Sequence, residues 1–392
     1  MPEFMQIGGD IDGEAAGDIS GYSISLSDDG TIVAVGAIGN QENGQNAGHV
    51  RVYKNIGGTW FQIGQDIDGE DTYDFSGQSV SLNADGNILA IGAPQNDNAN
   101  GSSSGHVRIY ENIGDTWSQI GLDIDGKATL DYSGGSVSLS SDGNTVAIGA
   151  SINYGNLPGY VSIYHNIGGS WFQIGLDIDG EASYDGSGGS VSLSSDGNTV
   201  AIGALFNDGV NGSNSGHVRI YENIGGTWSQ IGQDIDGEAA EDKSGVSVSL
   251  SSDGNTVAIG AHYADGVNGS NSGHVRIYNW NGSSWTQLGQ DIDGEAVSSQ
   301  SGGSVSLSSD GNIVAIGVPN HHHARIYNYN GSYWTQLGQD IDGELINGIS
   351  FGSSVSISSN GNTVAIGDNT NDGGNGSASG HVRVYSSSLT NI

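Results

Sequence analysis

Gln65-Asp66-Ile67-Asp68-Gly69-Glu70, followed by Ser79-Val80-Ser81-Leu82, is the stretch that decides the fold, because it recurs along the whole chain. Its Asp-Ile-Asp-Gly core occurs seven times, beginning at Asp10, Asp66, Asp123, Asp177, Asp234, Asp291 and Asp340. Successive copies are 56, 57, 54, 57, 57 and 49 residues apart. Such a period predicts an array of one repeated unit, so the 392 residues are expected to form one domain.

Each repeat contains four segments with the apolar alternation of a β-strand. In the second repeat these segments are residues 77–82, 88–93, 105–110 and 117–124, and Asp85-Gly86 predicts a tight hairpin between the first two. Four antiparallel strands in about 56 residues are typical of one propeller blade. The expected fold class is therefore all-β, a seven-bladed β-propeller of four-stranded antiparallel blades.

The chain ends predict how the ring closes. The last repeat stops after its third strand, whereas the chain begins with a fourth strand, so the N-terminal strand is expected to complete the last blade. In that register Phe4 takes the place that a tryptophan holds in the other repeats, and Met1-Pro2-Glu3-Phe4 looks cloning-derived. The single domain is expected at 5–392, with blades at about 20–68, 77–125, 134–179, 188–236, 245–293, 302–342, and 350–392 plus 5–12.

The composition restricts the classes of partner. Nine basic against 44 acidic residues give a net charge of −35, which disfavours binding to nucleic acid or to anionic membranes. No apolar run approaches the roughly 18 residues of a membrane span, so no membrane insertion is expected. Cysteine is absent from the sequence, which excludes disulfides and thiolate metal sites.

Strand order places the acidic motifs on one face. Connections in an antiparallel meander alternate between its two ends, so the Asp-Ile-Asp-Gly-Glu segments should share a face with the long loops between the second and third strands. Seven copies carry 20 acidic groups there, because Lys127 replaces one. Carboxylates at alternating positions suit Ca²⁺, which takes oxygen ligands. The alternative is that these acids form turns and keep the protein soluble. The candidate metal ligands are Asp10, Asp12, Glu14, Asp66, Asp68, Glu70, Asp177, Asp179, Glu181, Asp234, Asp236, Glu238, Asp291, Asp293, Glu295, Asp340, Asp342 and Glu344.

The repeat resembles a known family. Residues 187–204, Ser-Gly-Gly-Ser-Val-Ser-Leu-Ser-Ser-Asp-Gly-Asn-Thr-Val-Ala-Ile-Gly-Ala, followed by residues 216–221, resemble the FG-GAP repeats of bacterial surface proteins and of the integrin α head. Phe351-Gly352 and Gly92-Ala93-Pro94 come closest to the family's name. The resemblance implies a seven-bladed propeller used in extracellular recognition, with integrin-like seven-bladed lectins among its relatives. It therefore implies secretion or display at the cell surface.

One departure from the family concerns calcium. Calcium-binding relatives carry a D-x-D-x-D-G loop between the first two strands, whereas residues 194–199 here offer the single carboxylate of Asp196. One carboxylate cannot supply the six to eight oxygen ligands of Ca²⁺, so the family's calcium sites are not expected at these hairpins.

A His-x-Arg-x-Tyr pattern marks the third strand of six repeats. Guanidinium and imidazole on one strand face could grip a carboxylate or sugar hydroxyls. The alternative is an arginine buried between blades and paired with an Asp of the acidic loop. The third repeat has Tyr160 and Ser162 instead. The candidate ligand-binding residues are His49, Arg51, His106, Arg108, His217, Arg219, His274, Arg276, His381 and Arg383, together with Asn207, Asp208 and Asn211 of one long loop.

Tryptophan marks the fourth strand, at Trp60, Trp117, Trp171, Trp228, Trp285 and Trp334. These rings could stack on sugars or cover the gaps between blades. The run His321-His322-His323 occurs once, where a loop is shortened, and is interpreted as incidental.

Taken together, the sequence predicts a non-enzymatic recognition module, because no repeat stands out with a nucleophile and its base. The leading hypothesis is multivalent, lectin-like glycan binding or adhesion by a monomeric ring, aided by Ca²⁺. The alternatives are a scaffold of a larger surface protein that binds a basic partner through its acidic face, and a structural spacer. The number of equivalent ligands distinguishes a lectin from a scaffold.

Overall fold

The computed structural model describes residues 3–151, 157–344 and 350–387, which form seven antiparallel sheets arranged as the blades of a ring. This confirms the predicted all-β, seven-bladed propeller. Within those ranges the helical structure is one 3₁₀ turn, Pro319–His321, at the shortened loop that carries the three histidines. No helix in the described ranges is long and apolar enough to cross a membrane.

The N-terminal part of the chain supplies two strands that join blade 7, followed by blades 1 to 3. The first two strands are β1 (Phe4–Gln6) and β2 (Ile11–Asp12). Blade 1 contains β3 (Ser20–Leu26), β4 (Ile32–Ala37), β5 (His49–Ile56), β6 (Thr59–Gln62) and β7 (Ile67–Asp68). Blade 2 contains β8 (Ser79–Leu82), β9 (Ile88–Ala93), β10 (His106–Asn112), β11 (Trp117–Gln119) and β12 (Ile124–Asp125). Blade 3 contains β13 (Ser133–Leu139), β14 (Thr145–Ala150), β15 (Tyr160–Ile167), β16 (Ser170–Gln173) and β17 (Ile178–Asp179).

The remaining blades repeat this order. Blade 4 contains β18 (Ser187–Leu193), β19 (Thr199–Ala204), β20 (His217–Ile224), β21 (Thr227–Gln230) and β22 (Ile235–Asp236). Blade 5 contains β23 (Ser247–Leu250), β24 (Thr256–Ala261), β25 (His274–Trp280), β26 (Trp285–Gln287) and β27 (Ile292–Asp293). Blade 6 contains β28 (Val305–Leu307), β29 (Ile313–Val318), β30 (His323–Tyr329), β31 (Trp334–Gln336) and β32 (Ile341–Asp342). Blade 7 contains β33 (Ser354–Ile357), β34 (Thr363–Asp368) and β35 (His381–Ser387), completed by β1 and β2.

The outer strand of each blade is broken in two. A continuous strand over residues 117–124 was predicted, and this is wrong: β11 ends at Gln119, and β12 pairs separately with the start of β10, so that Asp125 lies opposite His106. The break contains Gly121, whose φ of +76° leaves the extended region and favours glycine. Part of the Asp-Ile-Asp-Gly motif is therefore strand rather than loop, and its register against the third strand is fixed.

The ring closes as predicted. Strand β1 pairs with β35, and Phe4 lies opposite Ser387 as Trp117 lies opposite Asn112 in blade 2. Phe4 therefore occupies the tryptophan position, and the N-terminal strand completes blade 7.

Small serines on the inner strands explain how seven blades fit around one axis. The Ser81 hydroxyl accepts the backbone N–H of Leu139 in the next blade at 3.0 Å, and the Ser79 hydroxyl donates to the carbonyl of Gly134 at 2.8 Å. A side chain at Gly92 would lie 2.0 Å from that same carbonyl oxygen, so the second strand needs glycine there. The Ser-Val-Ser-Leu segment therefore joins neighbouring blades through its polar face.

The hairpins between the first and second strands of the blades form a closed circuit of hydrogen bonds at the face opposite the long loops. Seven backbone hydrogen bonds of 2.9–3.1 Å run from each hairpin to the next and return to the first. The participating residues are Asp28, Ala84, Ser141, Ser195, Ser252, Ser309 and Ser359. This closed circuit surrounds the axis of the ring at its hairpin end.

The hydrophobic core is divided among the gaps between blades. Seven clusters of buried apolar side chains each combine residues of two neighbouring blades. One cluster joins Val382 of blade 7 to Val33 of blade 1, so the closing gap is packed like the others.

The hairpin carboxylate behaves as a turn residue. Asp196 accepts hydrogen bonds from the Ser194 hydroxyl at 2.7 Å and from the Asn198 backbone N–H at 3.0 Å. These bonds use Asp196 to stabilise its own hairpin.

Candidate functional site

The acidic motifs and the long loops lie on one face, as strand order predicts. The Asn100 side chain donates to the Gly126 carbonyl at 2.7 Å, and Asn211 donates to Gly237 at the same distance. The loop between the second and third strands is thereby fastened to the acidic segment of its own blade. We call the gap between two neighbouring blades on this face a seam.

Each arginine of the His-x-Arg-x-Tyr pattern lies in a seam and crosses it. Arg276 is 5% exposed, donates to the Asp236 carbonyl of the preceding blade at 2.8 Å, and lies 3.3 Å from the Glu238 carboxylate. The same contact with the preceding glutamate recurs for all six arginines. The structure thus places the arginines between blades, as the second interpretation of this pattern expects, although the main carboxylate partner is usually Glu rather than Asp.

The three acids of one motif diverge. Asp66 accepts a hydrogen bond from Gln62 of the same blade, and Asp68 Oδ1 lies 3.9 Å from His49 Nδ1. Glu70 instead crosses the seam to Arg108, 3.6 Å away. The two aspartates of this repeat thus lie beside the same histidine, His49, whereas the glutamate lies across the seam. Several groupings of possible ligands combine a glutamate with the histidine and first aspartate of the following blade, such as Glu70, His106 and Asp123, whereas Asp10, Asp12 and His381 form a group within blade 7.

The fourth acid of the repeat stabilises a turn. Asp242 is 4% exposed and accepts the backbone N–H of Ala239 at 2.8 Å, as Asp185 does with Ala182. Of the loop residues predicted to bind ligand, Asp208 accepts the backbone N–H of Asn214 at 2.9 Å, and Asn207 is buried. These side chains hold the loops in shape.

The histidines beside these acids are neutral near pH 7. Burial and the neighbouring Arg108 lower the pKa of His106 to about 4, although Asp123 opposes the shift. Its 3.9 Å separation from Asp123 is therefore a contact between a neutral ring and a carboxylate.

The tryptophans cover the seams. The Trp117 ring nitrogen donates to the Ile63 carbonyl of the preceding blade at 3.0 Å, and the five other tryptophans of this row make the equivalent bond. The structure places the row in inter-blade packing. On the other face of the outer strand, Phe61 and Phe172 are the exposed aromatic residues.

Some seams of the described chain are nevertheless less covered at the outer rim, among them those beneath Trp171 and Trp228. Gln65 donates to the Trp117 carbonyl at 2.9 Å across the first seam, and Gln290 makes the same bond to Trp334, so both tryptophans are only 3% exposed. Leu122 and Leu176 take this glutamine position in the following two repeats and are each 87% exposed. Trp171 and Trp228 beneath them are half-buried.

The seams beneath Trp171 and Trp228 form two grooves. The groove between blades 2 and 3 has a volume of about 560 Å³, and the groove between blades 3 and 4 has about 380 Å³. Each combines an indole, a leucine and two carboxylates, which in the first groove are Asp123 and Asp125. Sequence analysis did not identify these grooves, although the replacement of glutamine by leucine in two repeats was a visible signal.

A third cavity of about 330 Å³ is lined by residues that differ between repeats. It brings Pro94 and Gln95 together with Tyr132, Leu205 and Phe206, which come from three successive blades. The comparison of repeats that favoured a binding module over an enzyme did not reveal this unrepeated surface.

One family model and several solved structures are similar to this chain. The family model described as FG-GAP repeat matches residues 235–278. No curated protein sequence gives a significant match. Hydrazine synthase of Kuenenia stuttgartiensis has a similar fold, with a TM-score of 0.60 and 13% identity over 98% of this chain and 99% of that one.

Two further solved structures are similar. A putative 6-phosphogluconolactonase from Bacteroides uniformis has a TM-score of 0.56 and 13% identity, covering 83% of this chain and 86% of its own. The periplasmic gluconolactonase PpgL of Pseudomonas aeruginosa has a TM-score of 0.55 and 15% identity, covering 82% and 85%. At these identities the likeness shows the fold alone.

The class of protein is therefore a seven-bladed β-propeller in which six seams are crossed by a buried arginine paired with a half-exposed glutamate. Its repeats, its ring closure and the matched segment support an FG-GAP-type propeller.

Proposed function

We propose that this propeller is a non-enzymatic recognition module that binds glycans at its two open rim grooves. The observation that carries the proposal is the pairing, in both grooves, of a partly exposed indole with two carboxylates. An indole face packs against the C–H face of a sugar, and carboxylates accept hydrogen bonds from its hydroxyls. Both groove volumes lie within the range of small-ligand sites.

Two like grooves on neighbouring seams support multivalent binding. A target surface with repeated sugars would engage both grooves of one monomeric ring, and the second contact would gain from the first. This arrangement fits a secreted or surface-displayed protein. Calcium is the ion we propose for the acidic loops, where it would neutralise carboxylates close to the bound glycan.

The glutamine bridge supplies the test. We expect glycan-array signals from the wild-type protein, and isothermal titration with the best glycan should give two equivalents. Leu122→Gln together with Leu176→Gln should close both grooves as Gln65 closes its own seam, and abolish binding while the unfolding temperature stays near that of the wild type. Gln65→Leu is the matched variant, because it should open one further groove. Unchanged binding in the closed double variant would refute this location.

The calcium component has its own assay. The same array is run on EDTA-treated protein with and without added Ca²⁺, and chelation should weaken the signals. Full binding without the ion would remove calcium from the proposal and leave the grooves unaffected.

A second candidate function rests on charge. The glutamates that cross the seams are about half exposed, and the net charge of −35 favours a basic protein partner on the acidic face. This scaffold would bind one partner per ring with strong salt dependence, whereas the lectin would bind several equivalent ligands.

A further inference from the structure

Blade 1 differs from its neighbours in the loop that faces the second aspartate of the motif. In blade 2 the Asn98 side chain donates to Asp125 at 3.2 Å and to the Gly105 carbonyl at 2.9 Å. In blade 1 the corresponding loop is one residue shorter between its two anchoring asparagines, Asn40 and Asn43, and presents Glu42. A carboxylate thus replaces an amide donor beside Asp68.

Two buried polar atoms face each other at this place. Within the part of the chain that the structure describes, His49 Nδ1 and Asp68 Oδ1 have no hydrogen-bond partner, and they lie 3.9 Å apart. His49 is 0% exposed, and its Nδ1 is also 3.9 Å from Asp66 Oδ2. Unpaired buried polar atoms are costly, so atoms that converge in this way indicate a missing partner.

The surrounding charge is negative. Glu42 and Asp68 form one group with His49, and Glu14 and Asp66 form a second, with the ligand atoms of each group within 4.8 Å of one another. Arg51, 3.2 Å from Glu14, and Arg108, which donates to the Asp68 carbonyl, are the cations that contact these groups. Burial, Glu42 and Asp66 together raise the pKa of Asp68.

The imidazole and carboxylate groups at this place indicate which class of metal ion would bind. The Nδ1 atom of His49 is buried without a hydrogen-bond partner among the described residues, and an unprotonated imidazole nitrogen offers a lone pair. Imidazole combined with carboxylates suits Zn²⁺ and similar transition ions, whereas Ca²⁺ and Mg²⁺ are bound by oxygen alone.

We propose that blade 1 holds one divalent transition-metal ion, of the Zn²⁺ class, bound by His49 Nδ1 together with the carboxylates of Asp68 and Glu42. Asp66 and Glu14 form the second group around His49 and supply further oxygen ligands. The site does not depend on glycan binding, and the ion would fasten the shortened loop of blade 1 to the acidic segment of that blade.

The test titrates EDTA-treated, dialysed full-length protein with ZnCl₂ by calorimetry and with CoCl₂ by visible absorption. We expect one tight Zn²⁺ per chain and a Co²⁺ d–d band of mixed nitrogen and oxygen coordination. Glu42→Asn, which supplies the amide present in blade 2, should weaken Zn²⁺ binding at least tenfold. Asp71→Asn removes one exposed charge from the next turn and should leave it unchanged.

Three outcomes would overturn the proposal. Absence of saturable Zn²⁺ binding would mean that water partners these atoms. Equal weakening of Zn²⁺ binding by Glu42→Asn and Asp71→Asn would show that Zn²⁺ responds to the overall negative charge and that Glu42 is not a ligand. Displacement of bound Zn²⁺ by equimolar Ca²⁺ would mean that the site consists of oxygen ligands without the imidazole.

Discussion

The seam between blades 2 and 3 contrasts with the six others. Elsewhere an arginine of the third strand meets a glutamate of the preceding blade, as Arg276 meets Glu238. At this one seam Ser162 replaces the arginine and Lys127 replaces the glutamate. The Lys127 ammonium crosses the seam in the opposite direction, to Asp177 and the Ser162 hydroxyl.

The contrast shows what a seam requires. Tyr160 also replaces the histidine here, and its hydroxyl donates to Asp131 at 2.9 Å while the Lys127 ammonium lies 5.2 Å from its ring centre. Three positions on two blades differ together, yet one cation still balances the carboxylates of the gap. A seam therefore needs a positive charge between the blades, and either side can supply it.

Removing the cation from an ordinary seam should have the largest effect. Arg276→Ala deletes the bond to the Asp236 carbonyl and the pair with Glu238, and it uncovers the face of Tyr278. We expect a loss of about 2–4 kcal/mol in the free energy of unfolding, since the guanidinium is buried. Urea unfolding followed by tryptophan fluorescence measures this. Lys54→Ala, which removes an exposed cation, is the control, and equal losses in both variants would contradict a special role for the seam.

Substituting one residue at a time at the seam between blades 2 and 3 should have a smaller effect on stability. Lys127→Glu restores the common residue but sets it beside Asp177 with no arginine opposite, and we expect a loss of about 1–2 kcal/mol. Adding Ser162→Arg should recover most of it, with a coupling energy of at least about 1 kcal/mol in the double-mutant cycle. Strictly additive effects would show that the two positions do not form one unit.

The smallest effect concerns protonation. Burial would raise the pKa of Asp177, but bonds from Lys127, Ser162 and Gln173 outweigh it and hold this pKa below its ordinary value. Asp177 therefore stabilises the fold above about pH 4, and this contribution is lost as the pH falls through its folded pKa. Burial and nearby carboxylates raise the pKa of Glu70 despite Arg108, so its contribution improves on acidification.

Carboxyl ¹³C NMR titration can compare the two groups directly. The Asp177 midpoint should lie below that of Glu70, and Lys127→Met should raise it. An unchanged Asp177 midpoint in that variant would show that the ammonium is not its main partner.

Much of the fold could be predicted because the same pattern of strands and turns occurs in every repeat. The alternation at Ser79-Val80-Ser81-Leu82 and the Asp-Gly turns specify strands and hairpins locally. The break after Gln119 was missed because Gly121 lies within an apolar pattern, and its positive φ depends on how the outer strand passes the next blade.

The candidate sites were less predictable, because they depend on contacts between blades. The His-x-Arg-x-Tyr pattern indicated either a ligand-binding site or a buried arginine paired with a carboxylate. Only the position of the glutamate in the preceding blade distinguishes these two arrangements. The rim grooves arise where Leu122 and Leu176 cannot make a glutamine's bond, so the relevant signal was a departure from the repeat.

The pairing of β1 with β35 has a consequence for biosynthesis. A ribosome makes residues 4–6 long before the segment 381–387 that receives them. Until then the first strand has no partner in its sheet, and the hairpin circuit gains its return bond between Ser359 and Asp28 only when blade 7 is made. Blades 1 to 6 can assemble during translation, but the ring cannot close before residues 381–387 are made, because this contact joins segments that lie far apart in the sequence.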